Sequence, residues 1–206
     1  MHGRSSIGVV LLGLGVVGAG VARAMLERAN HYSRRAGVPL TLRRVLVRDI
    51  AKPRGVELDR SLLTTDSGEA LETECDVVVE VIGGEEPARD YIERSLRRGR
   101  TVVTANKEVI SKHGPKLLSL ATQHGADLLF EASVGGGIPI VSPLRRDLSA
   151  NEIASVRAII NGTTNYILTR MSREGVDFGA ALAQAQELGY AEADNSAVIE
   201  ALRPNN

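Results

Sequence analysis

The stretch Ile7 to Ala22, IGVVLLGLGVVGAGVA, constrains this chain more than any other. It opens on an unbroken apolar run, Ile7 to Leu12, of the kind that forms a strand covered on both faces in a parallel sheet. Gly13, Gly15 and Gly18 follow at G-x-G-x-x-G spacing, and apolar residues resume at helical spacing through Val17, Val21, Ala24 and Met25. The glycines therefore fall where a strand turns into a helix, the context this fingerprint needs. Without a Cβ, Gly13 permits a tight turn, Gly15 lets a pyrophosphate approach the backbone, and Gly18 lets helix and strand pack closely. The helix start supplies free N–H groups to the phosphates. A dinucleotide site is the expectation, and a Gly-rich core turn without ligand is the alternative.

The pattern then alternates. Asn30 to Pro39 is polar and reads as a long connection, and Thr41 to Val47 reads as the second strand. It ends at Arg48-Asp49, where a dinucleotide fold places the residue that meets the adenosine ribose. An acid there suits NAD, a cation suits a 2′-phosphate; the reading leans to Arg48 and NADP, with a surface Arg48–Asp49 pair as the alternative. Asp76 to Ile82 is a third strand closed by Gly83-Gly84, and Pro87 opens a charged helix through Arg98. Thr101 to Thr104 is a fourth strand, Asn106 to His124 a helix interrupted by Gly114-Pro115, and Asp127 to Glu131 a fifth strand. The prediction is an α/β fold, a doubly wound parallel sheet of Rossmann type over residues 1–137, with ligand across the strand carboxyl ends. Beyond it, a helix from Pro139 to about Leu148, a strand from Ile153 to Ile160 and helices near Tyr166–Arg173 and Phe178–Leu188 predict an incomplete α+β domain over 138–206.

Composition narrows the function. Cys75 is the only cysteine, which excludes internal disulfides and a Cys-based zinc site and points to a reducing compartment, the cytoplasm. The 25 basic and 25 acidic residues balance and there is no Trp, so neither nucleic acid nor an anionic membrane is an expected partner. Arg4 before an apolar run imitates a signal peptide, but five glycines between Gly8 and Gly20 make that run a poor hydrophobic helix. No apolar stretch reaches the roughly 20 residues of a membrane span.

Four phrases, in this order and spacing, carry a family resemblance: Gly13-Leu-Gly-Val-Val-Gly18, Val102-Val-Thr-Ala-Asn-Lys107, Asn161-Gly-Thr-Thr-Asn-Tyr-Ile167 and Leu188-Gly-Tyr-Ala-Glu-Ala-Asp194. Together with Glu131-Ala-Ser-Val-Gly-Gly-Gly-Ile-Pro139, they resemble the homoserine dehydrogenases over nearly the whole chain. The resemblance implies NAD(P)-linked interconversion of L-homoserine and L-aspartate 4-semialdehyde, a step toward threonine, isoleucine and methionine. It also implies that residues 138–206 belong to a substrate-binding domain that forms a homodimer.

Reducing an aldehyde needs a hydride donor on one face and a cationic or acidic group at the oxygen. Lys107 fits, because it stands at a helix start where a cation opposes the dipole and is poorly placed for stability alone. An exposed solubilising lysine is the bland alternative; the resemblance makes Lys107 catalytic and cofactor-contacting. It further implies that Glu192 is catalytic and holds homoserine, with Gly162, Thr163 and Tyr190 lining the pocket and Gly189 near the nicotinamide. Thr163 as a plain helix N-cap is the alternative. The cofactor set is then Gly13, Leu14, Gly15, Val16, Val17, Gly18, Arg48, Gly83, Lys107 and Gly189. Hard cations prefer oxygen ligands, and the resemblance implies a sodium-type ion on Glu131 and the carbonyls of Val134, Gly136 and Ile138. Glu131 as a cap of the next helix is the alternative.

The resemblance departs near the end. Asn195 stands where the family has Pro, Arg203 takes the place of an aspartate, and the lysine proposed as proton donor would follow Asn206. A one-base insertion near codon 201 is the expected origin, because dropping one base there in one choice of codons restores Gly-Tyr-Asp. Two classes of function stay open: an active homoserine dehydrogenase, or a catalytically impaired, truncated remnant that binds nucleotide.

Overall fold

A computed structural model describes residues 5–157 and 162–191. The chain divides into two compact units, Met1–Ser149 and Ala150–Asn206.

The first unit is built on six parallel strands in the order β3-β2-β1-β4-β5-β6. They are β1 (Ile7–Leu12), β2 (Leu40–Leu46), β3 (Leu63–Thr64), β4 (Val77–Glu80), β5 (Thr101–Thr104) and β6 (Leu128–Leu129). Helices α1 (Val16–Glu27), α2 (Ala29–Ala36), α3 (Ser67–Glu72), α4 (Ala88–Arg97) and α5 (Lys107–Gln123) connect them. The central run IGVVLL is apolar throughout because both of its faces are covered. Val10 and Leu12 pack with Leu71, Ile92, Leu96 and Leu117 from α3, α4 and α5, whereas Val9 and Leu11 pack with Ala22 of α1. Strand order reverses between β1 and β4, and that switch point opens a crevice at the strand carboxyl ends.

The doubly wound sheet stands as expected, with four local corrections. The polar segment expected to be a connection holds α2, which buries no residue, carries Arg34 and Arg35 in its last turn and stops at Gly37 with φ +78°. A two-residue strand, β3, follows the Asp59-capped turn Arg60–Leu62 and adds a sixth strand. Helix α5 runs unbroken through Pro115: the missing N–H costs one hydrogen bond, and Val109, Leu117, Leu120 and Ala121 anchor both halves in the core. The helix expected from Pro139 starts two residues later, with residues 141–147 helical and the stretch Pro143–Asp147 in π form, and Glu131 accepts the free N–H groups of Ile140, Val141 and Ser142 at its start.

The second unit packs α6 (Gly162–Glu174) against α7 (Phe178–Glu187) through Ile167, Ala181, Leu182 and Ala185. The expected strand from Ile153 is absent over the described residues 153–157; the rest of it, at 158–160, lies outside the described residues. No described helix is long and apolar enough to cross a membrane.

Candidate functional site

The fingerprint glycines divide their work between fold and ligand. Gly13 sits at φ +102°, and a Cβ there would lie 2.9 Å from the Val81 carbonyl oxygen. A Cβ on Gly18 would lie 2.2 Å from the Gly13 carbonyl oxygen, so α1 reaches the end of β1 only without one. Gly15 differs: a Cβ there would meet nothing within 4 Å. Its backbone faces open space, at the N-cap of a helix whose first N–H groups receive no side-chain cap. That is an anion-binding geometry.

The open space belongs to a groove of about 1020 Å³ along the strand carboxyl ends. Gly13, Leu14, Gly15, Val16, Arg48 and Gly83 line it together, as expected for one ligand. Val16 is 94% exposed, an apolar side chain left at the groove mouth. Val17 and Gly18 are not part of the wall: Val17 is 55% exposed, and Gly18 is buried against the Gly13 backbone.

At the far end of the groove, beyond β2, Arg23, Arg48, Lys52 and Arg54 share the wall with Asp49. The Asp49 carboxylate accepts the Ala51 N–H at 2.8 Å in a local turn. Arg54 donates to the Lys52 carbonyl at 2.8 Å, and Arg23 donates to the Gly55 carbonyl. Arg48 and Lys52 are exposed, and their side chains have no partner among the described residues. Lys52, Arg54 and Arg23 escaped the sequence reading; the first two follow the second strand within six residues of Arg48, a usable signal, but Arg23 reaches the groove from α1.

At the opposite end, Gly83 and Gly84 adopt φ of +80° and +74° just beyond β4. Lys107 is the first residue of α5, exposed and without an ion pair among the described residues; it stands outside the groove wall. Next to Gly84, Glu85 accepts from Lys112 at 2.6 Å and contacts His113 at 2.7 Å. The Lys112 hydrogen bond, then that of His113, holds the Glu85 carboxyl down at about 2 from an ordinary 4.5. A depressed folded-state pKa adds stability above pH 4.5 that disappears as pH falls toward 2. Urea denaturation across that window is therefore expected to show wild type losing its advantage over Glu85→Gln with falling pH. The advantage also shrinks in high salt, since the cluster faces solvent.

Glu131 caps. Its Oε1 accepts from the N–H groups of Ile140 at 2.6 Å and Val141 at 2.9 Å, and its Oε2 from Ser142 at 2.8 Å. Desolvation pushes its carboxyl up, and these three donors more than offset it, leaving it below the usual range. The carbonyls of Val134, Gly136 and Ile138 accept no hydrogen bond among the described residues. An all-oxygen set of this kind suits a hard monovalent cation, although the carboxylate is already engaged.

In the second unit, Gly162, Thr163, Tyr166 and Tyr190 line a cleft of about 410 Å³. Thr163 is inside α6 and donates its hydroxyl to the Tyr190 carbonyl, so it is not the helix cap. Tyr166, missed in the sequence because it reads as core at helical spacing, packs edge-on to Tyr190 and donates to Gln184 at 3.0 Å. Gly189 takes φ +73° where α7 ends. Glu192 lies outside the described residues.

A doubly wound sheet in this strand order, with a glycine fingerprint at its switch point, defines a dinucleotide-binding Rossmann-type domain. Family models agree: residues 13–131 match the homoserine dehydrogenase NAD binding domain, and 139–203 match homoserine dehydrogenase. The chain belongs to the homoserine dehydrogenase family. It is 43% identical to the homoserine dehydrogenase of Bacillus subtilis (strain 168) over 96% of its own length and 46% of the relative's. Identity to that of Corynebacterium glutamicum is 47%, over 95% of this chain and 44% of the relative. Among solved structures, a homoserine dehydrogenase from Thiobacillus denitrificans superposes with a TM-score of 0.82 at 42% identity, covering 92% of this chain and 44% of that one. A hyperthermophilic archaeal homoserine dehydrogenase in complex with NADPH superposes with a TM-score of 0.79 at 28% identity, covering 96% and 66%. The chain thus spans less than half the length of the curated relatives it matches.

Proposed function

We propose that this chain carries the cofactor half and part of the substrate half of an NAD(P)-dependent oxidoreductase interconverting L-homoserine and L-aspartate 4-semialdehyde. The observation that carries the reading is the groove at the sheet's switch point, where the uncapped start of α1 and the open face of Gly15 meet in one wall. Gly13, Leu14, Gly15 and Val16 take the pyrophosphate region together with the backbone N–H of Val17, Gly18 lets α1 pack close enough to β1 to present those N–H groups there, and Gly83 takes the nicotinamide side. The bound dinucleotide supplies the hydride acceptor or donor.

The protein's own groups act on the oxygen and the ammonium. In oxidation, the carbinol carbon loses a hydride and its hydroxyl a proton; in reduction both return. Lys107 stabilises the oxygen as negative charge develops there, for which an ammonium without an ion pair among the described residues is suited. Glu192 holds the substrate ammonium, and Gly162, Thr163, Tyr166 and Tyr190 shape the pocket around it. A sodium-type ion on Glu131 and the carbonyls of Val134, Gly136 and Ile138 steadies the glycine loop. The reading extends to a homodimeric cytoplasmic enzyme of amino-acid biosynthesis, as family membership and a single cysteine suggest.

NADP is the preferred cofactor. One oxygen of the Asp49 carboxylate is taken up by its own turn, while Arg48 and Lys52 at the same end have no partner among the described residues. Arg48→Ala is expected to weaken NADPH by about 10- to 100-fold, the worth of one charge-assisted hydrogen bond, and NADH hardly at all. Fluorescence titration with both nucleotides checks this, and equal losses would refute it. Homoserine-dependent reduction of NADP by the purified chain tests the activity itself; nucleotide binding with no turnover would restrict the reading to the cofactor half.

A further inference from the structure

Three of the buried polar side chains meet at the carboxyl ends of β4 and β5: Glu80, Thr104 and Asn106, exposed by 0%, 1% and 5%. Thr104 Oγ1 donates to Glu80 Oε2 at 2.6 Å and accepts the Asn106 N–H at 3.0 Å. Glu80 Oε1 accepts the Ile82 N–H at 2.8 Å, and Asn106 Nδ2 donates to the Gly84 carbonyl at 2.7 Å. One unbroken chain of hydrogen bonds therefore grips the Gly83–Gly84 turn at both ends. Asn106 Oδ1 also accepts the Val109 N–H at 3.1 Å, which ties the same network to the first turn of α5, the turn that starts with Lys107. A Cβ at Gly83 or Gly84 would meet nothing within 4 Å, so the turn lacks packing of its own and depends on these bonds.

A buried carboxylate is a weak source of stability, because apolar residues of similar volume serve a core equally well or better. Its use here is geometric. We infer that Glu80, Thr104 and Asn106 are positioning residues: they lock the Gly83–Gly84 turn and the Lys107 end of α5 into one frame, and so set where the nicotinamide end of the dinucleotide rests. The inference rests on the cofactor reading above.

The test uses the full chain with Asn106→Ser, Thr104→Val and Thr104→Ser. Serine caps a helix about as well as asparagine, so Asn106→Ser keeps the start of α5 but is too short to reach Gly84. Amides of residues 82–86 are expected to exchange hydrogen faster in Asn106→Ser, with β4 and the body of α5 unchanged. NADPH binding should weaken by about three- to tenfold, the range of one ordinary hydrogen bond. Adenosine 2′,5′-bisphosphate, which lacks the nicotinamide half, should bind as before. Thr104→Val should behave like Asn106→Ser, and Thr104→Ser, which keeps the hydroxyl, like wild type. Exchange unaltered in both Asn106→Ser and Thr104→Val, or equal weakening of both ligands, overturns this inference alone. Failure of the wild-type chain to bind either compound overturns the cofactor reading and, with it, the nicotinamide role.

Discussion

Gly18→Ala is expected to cost at least about 3 kcal/mol of folding stability, the upper end of ordinary overpacking. The added methyl would stand 2.2 Å from the Gly13 carbonyl oxygen and 2.9 Å from its carbon. Both are backbone atoms of the turn that joins β1 to α1, so no side chain can swing aside; the helix must back away from the central strand. That is a large share of the roughly 5–15 kcal/mol that keeps a domain folded. Gly20, two residues on in the same helix, is the internal control: a Cβ there would meet nothing within 4 Å. Gly20→Ala should gain about 0.5–1 kcal/mol from the lower entropy of the unfolded chain and better helix propensity. Urea denaturation followed by circular dichroism measures both. A loss of less than 1 kcal/mol for Gly18→Ala, or equal losses for the two variants, would refute the close approach of α1.

Gly15→Val is expected to do the reverse, leaving the fold intact and removing the ligand. Gly15 has φ −80° and ψ −157°, extended backbone open to any residue, and the space beside it is free. Stability should change by no more than about 1 kcal/mol, since the position contributes only an unremarkable N-cap. NADPH binding should fall by at least about 100-fold, because an isopropyl group occupies the room where the pyrophosphate would meet the α1 N–H groups. Titration and denaturation on the same samples decide it. Binding that survives Gly15→Val would mean that the phosphates lie elsewhere, and a protein that unfolds would mean that Gly15 serves the turn and not the ligand. The pair of variants separates two duties that a single motif fuses: Gly18 is a requirement of packing, Gly15 a requirement of the ligand.

Much of this is legible in the amino-acid sequence. The alternating buried strands, the glycine fingerprint and the acid–cation pair after the second strand each have a local cause, and the local cause survives translation into three dimensions. What misled was local too. The segment of α2 carries no apolar stripe, so periodicity cannot find it; it is held by its Gly37 stop and basic last turn instead. Pro115 signals a break in isolation, yet α5 passes through it because the buried Val109, Leu117 and Leu120 hold both sides. Strand β3 is two residues long and exists only because β2 offers it an edge.

By itself, then, the sequence determined the sheet's central strand, the phosphate turn and the family, because these depend on residues adjacent in the chain. Tertiary structure alone decided which of those residues face a ligand. It brought Arg23 from α1 to Lys52 and Arg54 beyond β2, turned Asp49 into its own loop, and spent the Glu131 carboxylate on three backbone donors. It also joined Glu80 to Asn106 across neighbouring strands, a link between residues 26 positions apart. No spacing rule encodes such meetings, since hydrogen bonds between distant groups form only after the strands have paired and buried them away from water.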